Sequence, residues 1–279
     1  MSGRYAARTT HIAYATSDLA QAARLAERYS QRAGLRAFRL YGPHSPVARD
    51  LAERHPEIMA ERRGAGYWLW KPAIIADALR ASRPGDLVLY TDVAMTLVGD
   101  PEPLLALADE HPIVLFEMGG PVPQRLWTKR DCFVSMDADT PAFWENAQLV
   151  SGFQLYRAGP EAEAFVAEMA RAFPYRERLT DDPNRLGLPN FDGFIEHRHD
   201  QSVLTILSQK AGLPRFPDPS QFGPRVPRRT AEDFGDGLAR PPTGYGQVFH
   251  CHRLRDRSVA SRLKHGLRGD YTGRPILFW

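Results

Sequence analysis

The stretch DLVLYTD, Asp86 to Asp92, runs through four apolar residues and a threonine and stops on a carboxylate. An unbroken apolar run of this length, rather than an alternating one, describes a strand covered on both faces, as in a parallel sheet. Similar runs lie on either side of it: HIAYAT (11–16) and AFRLYG (37–42) before, PIVLFE (112–117) and SGFQLYR (151–157) after. Helical patterns separate them. Ser17 to Ala33 reads as a helix with Ser17 as its N-cap, Pro46 to Arg63 as one interrupted near Pro56, and Pro72 to Ala81 as one with Pro72 in its first turn. Pro160 to Ala172 and His199 to Ala211 follow. Strands alternating with helices predict an α/β fold with a mostly parallel central sheet flanked by helices.

The 279 residues fit one large α/β domain. We place it over 1–252, with 253–279 as a basic, poorly periodic tail packed on it or extending from it. DDPNRLGLPNFDGF (181–194) and the Pro- and Gly-rich segment 214–246 read as long loops, and QVFHCHRL (247–254) as a last strand. No repeat or low-complexity segment is present. The composition, 43% hydrophobic and 25% charged, is that of a globular protein, and no apolar run reaches the roughly 20 residues of a membrane span. The first residues lack a signal-peptide core, so a cytoplasmic location is expected. Cys132 and Cys251 are expected as free thiols. The net charge of +3 does not call for nucleic acid. Only four of the 36 basic residues are lysine, at 71, 129, 210 and 264, so arginine abundance alone carries no argument and an individual arginine is judged by its neighbours.

Ligands of open parallel sheets bind beyond the carboxyl ends of the strands, where Asp92 stands; a helix cap or turn former is the structural alternative. GYWLWKP (66–72) packs Tyr67, Trp68, Trp70 and Lys71 into seven residues, which suits either stacking plus one cation or a core-packed helix entrance. Lys129, Arg130 and Asp131 of WTKRD read by themselves as a surface charge cluster. In SGFQLYR, Gly152 marks a close backbone approach beside Phe153. Asp200 and Gln201 open a helix, where Asp200 could cap, and His199 precedes them. His250 and His252 share one face if their segment is a strand.

The run VLYTDVAMTLVGDPEPLL (88–105) resembles the strand and acidic turn of nucleotide-sugar transferases of the GT-A type, distantly the glycogenin and lipopolysaccharide galactosyltransferase group. GYWLWKP, WTKRD, SGFQLYR and HRHDQS, in that order, are similar to blocks of bacterial surface-polysaccharide (capsule or O-antigen) transferases. The likeness spans about Thr9 to Asp256. It implies a Rossmann-like GT-A domain that moves a sugar from a nucleotide diphosphate sugar, a UDP-sugar, to a saccharide or lipid-linked saccharide acceptor. It further implies Asp200 and Gln201 as catalytic, facing the transferred sugar as in retaining enzymes. Tyr14, Thr16, Lys71, Asp92, His250 and His252 are then donor contacts. Trp70, Lys129, Arg130, Gly152, Phe153 and His199 fall to the sugar or acceptor. In that family an Asp-x-Asp pair holds a divalent cation, manganese or magnesium, against the leaving diphosphate. Here Ala94 replaces the second Asp, leaving Asp92 and His252 as candidate metal ligands, with Arg253 and Arg255 as counter-charges that need no metal.

Two other functions fit parts of the pattern. Asp92, His199, Asp200, His250 and His252 are the residue types of a metal-dependent hydrolase or phosphoesterase. The broken Asp-x-Asp also fits a noncatalytic nucleotide-sugar binding protein. For an inverting reaction the general base is open among Asp131, Asp181, Asp182 and Asp192. Peripheral membrane association is expected to run through the basic tail.

Overall fold

A computed structural model describes residues 3–118, 123–223 and 244–252. The described strands are β1 (Thr9–Tyr14), β2 (Ala37–Tyr41), β3 (Leu87–Thr91), β4 (Met95–Leu97), β5 (Ile113–Glu117), β6 (Leu149–Arg157), β7 (Arg215–Pro217) and β8 (Phe249–Cys251). Six of them form one sheet in the order β2-β1-β3-β6-β5-β7, and β4 pairs with β8 separately. β1 runs parallel to β2 and β3, and β5 runs parallel to β7. β6 alone is reversed, antiparallel to both β3 and β5. The mixed α/β class with a mostly parallel sheet is the one expected.

The apolar runs serve both faces of this sheet, because successive side chains point to opposite sides. Val88 and Tyr90 of β3, Leu115 of β5 and Tyr156 of β6 join the core under the helices Trp70–Arg80, Pro160–Ala172 and Asp200–Lys210. Leu87 and Leu89, Val114 and Phe116, Phe153 and Leu155 join a second core, closed by Leu97, Leu104, Val248 and Phe249.

Several boundaries differ from the expectation. The helix placed over Pro46 to Arg63 breaks near Pro56 as expected, into Pro46–Arg54 and Pro56–Met59, because proline cannot donate to the preceding turn, but it stops at Met59 rather than Arg63. The helix expected from Pro72 begins two residues earlier, at Trp70. β7 lies inside the segment read as loop; its three residues at a sheet edge are too short for a period to show. The last strand is only Phe249–Cys251 and pairs with β4 rather than extending the main sheet. Residues 253–279 lie outside the described ones, so the division between domain and basic tail is not addressed by the structure.

Candidate functional site

β1 and β3 end side by side, which puts Tyr14 and Asp92 at one edge of the sheet. β6 comes in antiparallel and starts at that same edge, and the Asp92 N–H donates to the Gly152 carbonyl oxygen at 2.7 Å. No side chain of β6 fills the gap: a Cβ at position 152 would stand 3.2 Å from Asp92 Oδ2 and 2.9 Å from Met95 Cε. The close backbone approach expected at Gly152 is therefore an approach to the Asp92 carboxylate.

Lys71 reaches this edge from the first turn of the Trp70–Arg80 helix. Its ammonium, 1% exposed, donates to Asp200 Oδ2 and, at 3.1 Å, to the Ser151 carbonyl oxygen. It lies 3.5 Å from Asp92 Oδ1 and 5.0 Å from the centre of the Tyr90 ring. Burial alone would lower the lysine pKa; Asp200 and Asp92 outweigh it and the net direction is upward, so the charge stays. The Tyr90 hydroxyl donates to Asp92 Oδ1, and burial together with that carboxylate pushes the phenol well above its usual range. Gln201 is fixed by the Ser151 N–H on its Oε1, at 3.4 Å, and by donating through Nε2 to Gln148 Oε1 at 3.0 Å. Lys71, Asp92, Gly152, Asp200 and Gln201 thus come together from four separated segments.

What holds Lys71 there is unusual backbone. Gly64, Ala65, Gly66, Tyr67 and Trp68 have φ of 58°, 50°, 95°, 50° and 59°, one turn of left-handed coil. Each non-glycine residue in that conformation costs about 1–2 kcal/mol, and Gly64 and Gly66 adopt it freely. The turn is closed by its own hydrogen bonds, Tyr67 N to Arg63 O at 2.7 Å and Trp68 N to Gly64 O at 3.2 Å. Trp70 Nε1 donates back to Gly64 O at 3.0 Å, and the Trp70 ring stacks on Tyr14 with centroids 4.0 Å apart. Trp70 packs the helix entrance, and the same entrance delivers Lys71 to the carboxylates.

The turn leans on His199, which is itself strained at φ 51° and ψ −120°. Its ring lies 5.5 Å from the Trp68 ring and 5.0 Å from that of Tyr67. His199 Nδ1 meets the Leu179 carbonyl oxygen at 2.9 Å, and Nε2 lies 3.7 Å from Asp181 Oδ1. Burial lowers the His199 pKa, so the ring is neutral at ordinary pH. No side-chain cap bond is made by His199, and Asp200 is the first residue of the helix rather than its cap. His252 is buried, and its N–H donates to the Ala94 carbonyl oxygen at 2.8 Å, which brings it beside the Asp92 turn; His250 is in register with Thr96. Arg253 and Arg255 lie outside the described residues.

The other candidates sit in different surroundings. Phe153 is 1% exposed, stacks on Phe249 and meets the tilted ring of Phe116, so its ring is closed to a sugar. Tyr14 keeps one face against Trp70, and burial pushes its phenol up to about 12. Thr16 Oγ1 donates to Asp18 Oδ1 at 2.5 Å. WTKRD is a buried anchor rather than a surface cluster. Lys129 Nζ donates to the carbonyl oxygens of Arg176 at 3.3 Å and Asp182 at 3.1 Å. Arg130 makes a forked pair with Asp139 and lies 3.9 Å from the centre of the Phe191 ring. Asp131 accepts from the N–H groups of Arg185 at 2.6 Å and Leu186 at 3.1 Å. Together they fasten the 181–194 loop. Of the other base candidates, Asp182 pairs with Arg176 at 2.7 Å, while Asp181 faces Arg63 at 3.3 Å and the Tyr67 hydroxyl at 3.2 Å. Asp192 is exposed.

Tyr90 and Ser151 complete the site without having been singled out for these roles, and Asp181, one of the four general-base candidates, stands beside His199. Tyr90 was within reach of sequence reasoning, since residues two apart in a strand share a face and Asp92 follows at that spacing. Among the described residues no three His, Cys, Asp or Glu side chains group as metal ligands. The five residues of the hydrolase reading are accordingly divided between Lys71, the Asp181 corner and the β4–β8 ribbon.

No family model matches the chain, and no curated relative does. Solved structures similar to it are glycosyltransferases. Mouse xyloside xylosyltransferase 1 in its apo form is 11% identical, with 88% of this chain and 97% of that one covered and a TM-score of 0.44. A glycosyltransferase involved in glycosylation of the major capsid of PBCV-1 is 10% identical, covering 92% and 97%, at 0.45. The galactosyltransferase LgtC, in complex with donor and acceptor sugar analogues, is 14% identical, covering 96% and 98%, also at 0.45. At these identities and scores none of them assigns a role to a residue of this chain.

Proposed function

We propose that the chain is a GT-A-type glycosyltransferase that moves a sugar from a nucleotide diphosphate sugar, a UDP-sugar, to a hydroxyl of a saccharide or lipid-linked saccharide acceptor. The observation that carries this reading is the Lys71–Asp92–Asp200 cluster at the carboxyl edge of the sheet, with Lys71 and Asp200 buried and Asp92 part-exposed, where open α/β sheets bind their ligands. Burying the Lys71 ammonium with the Asp200 carboxylate is costly, and a fold tolerates it best where the charges act on something.

In this reading the edge formed by Tyr14, Thr16 and Asp92 receives the nucleotide, and the donor diphosphate lies toward His250 and His252. Asp200 and Gln201 face the transferred sugar. The Asp200 carboxylate lies beside the anomeric carbon, where positive charge develops, and Gln201 adds a neutral hydrogen bond; the likeness of this Asp-Gln pair to that of retaining enzymes favours retention of configuration. Asp181, with His199 behind it, stands ready on the acceptor side. Residues 253–279 would extend the catalytic domain as a basic tail suited to peripheral contact with a membrane. No helix among the described residues is long and apolar enough to cross one.

A divalent cation at Asp92 and His252 lacks a third side-chain ligand among the described residues, and one Asp92 oxygen already meets Tyr90 and Lys71. Neither residue is therefore assigned a step through a metal. The test is a thermal-shift and calorimetric screen of nucleoside diphosphates and nucleotide sugars, with and without manganese. A ligand at 100 times its Kd stabilises the fold by about 2.7 kcal/mol, so the true donor should raise Tm by several degrees. Absence of a shift with every common nucleoside diphosphate at millimolar concentration would overturn the reading.

A further inference from the structure

Lys71 Nζ is surrounded by oxygen: Asp200 Oδ2, the Ser151 carbonyl at 3.1 Å, Ser151 Oγ at 3.5 Å and Asp92 Oδ1 at 3.5 Å. Two carboxylates, a carbonyl and a hydroxyl are the oxygen set that hard divalent cations take. Here a side-chain ammonium fills it, 1% exposed and sealed on one side by the Tyr90 ring. We propose that Lys71 is a built-in cation that holds Asp92 and Asp200 side by side, so that the pair is ordered without a metal in that cage.

Counting charge deepens the glycosyltransferase reading, on which this part rests. Two carboxylates and one ammonium leave the cluster at −1, which repels a diphosphate and favours positive charge at an anomeric carbon. The cluster therefore faces the reacting sugar, and the diphosphate is neutralised elsewhere. Lys71 acts as a positioning residue through the two aspartates. A divalent ion cannot share the cage with it, because both would need the same oxygens and two cations this close repel.

Removing the side chain should turn the cage into a cation site. Manganese–oxygen ligation needs distances near those of magnesium and calcium, about 2.0–2.6 Å, so the oxygens must move inward by roughly 1 Å, which the part-exposed Asp92 can supply. The experiment counts bound manganese(II) by electron paramagnetic resonance in the full chain, in Lys71→Ala and in Lys71→Ala/Asp200→Asn. Lys71→Ala should take up one further manganese per chain, at least tenfold tighter than any site in the unaltered chain, and the added Asp200→Asn should abolish that gain. If Lys71→Ala is unfolded by circular dichroism, millimolar manganese should refold it. No gain in a folded variant, a gain that survives Asp200→Asn, or an unfolded variant that manganese leaves unfolded would each overturn the proposal. Nucleoside diphosphate binding to the unaltered chain, measured in the same buffers, tests the glycosyltransferase reading separately.

Discussion

Lys71 and Lys129 are both buried lysines, yet their surroundings differ in kind. Lys71 meets two carboxylates, and its pKa rises; Lys129 donates to two main-chain carbonyl oxygens, and burial lowers its pKa. The aspartates follow the same division: Asp200 faces an ammonium, whereas Asp131 faces the N–H groups of Arg185 and Leu186. A charge that meets the opposite charge keeps its electrostatic reach, and a second group added nearby feels the sum. A charge that meets the peptide backbone is consumed in fixing a loop. Burial and residue type alone do not separate a reactive site from an anchor; the partners do.

The contrast is broken most directly at Asp200. Asp200→Asn leaves the buried Lys71 ammonium with Asp92, 3.5 Å away and part-exposed, as its remaining carboxylate, so the cost should approach without exceeding the roughly 3–5 kcal/mol of breaking an isolated buried pair. This variant should therefore be destabilised as well as inactive, which urea denaturation measures. Lys71→Met combined with Asp200→Leu should recover most of the stability but none of the activity. If Asp200→Asn unfolds at the same urea concentration as the unaltered chain, the Lys71–Asp200 pair contributes no stability and the contrast fails.

Asp131→Ala should cost less, about 1–3 kcal/mol, the penalty for two main-chain donors losing their acceptor. Its mark should be local: limited proteolysis should cut the 181–194 loop first, while nucleoside diphosphate affinity stays within about twofold of the unaltered chain. A tenfold fall in that affinity would move the WTKRD block from anchor to ligand contact.

Acid should sharpen the difference, since the histidines packed around both regions are held neutral. Burial pulls His11, whose Nε2 meets Thr91 Oγ1 at 2.8 Å, down to about 3 from 6.5; it lowers His197 and His199 as well. Their folded pKa values lie below the unfolded one, so between the two the unfolded chain binds more protons. Stability is then complete above pH 6.5 and falls as pH drops toward the folded values. For His11 alone the slope approaches roughly 1.4 kcal/mol per pH unit. Urea midpoints measured from pH 7 to pH 4 should fall steadily, and His11→Gln should flatten the curve; an unchanged slope would show that His11 is not the group responsible.

The smallest effect on the fold is expected at Gly152. A methyl there must displace Met95 Cε, which is flexible, so Gly152→Ala should cost about 1 kcal/mol. The same methyl crowds Asp92 Oδ2 at 3.2 Å, and donor affinity should fall more than stability does. Equal losses in both would remove Gly152 from the site.

Much of this arrangement was readable along the chain. The unbroken apolar runs of β3 and β5 announced a sheet buried on two faces, and Asp92 at the end of one run stands at the carboxyl edge of that sheet. Pro56 marked a real helix break. The sites least readable were those whose local rules are broken. No propensity argument predicts five residues of left-handed coil at Gly64 to Trp68, because the cost of that turn is offset only by packing against His199 and Tyr14. The reversed direction of β6 was equally hidden, since an apolar run carries no sign of which way its strand points.

By itself, then, the sequence determined the α/β class, the approximate order of strands and helices, and the short set of polar residues worth testing, because periodicity and chain-terminating residues act over a few neighbours. Only the tertiary structure decided which of those polar residues meet. Positions 71, 92, 151 and 200 are separated by up to 129 residues and touch through one ammonium. Lys129 and Asp131, no different in kind, were turned to the backbone of a loop more than 50 residues away. Charge pairing is a property of distance in space, and only the packed sheet and its helices fix that distance.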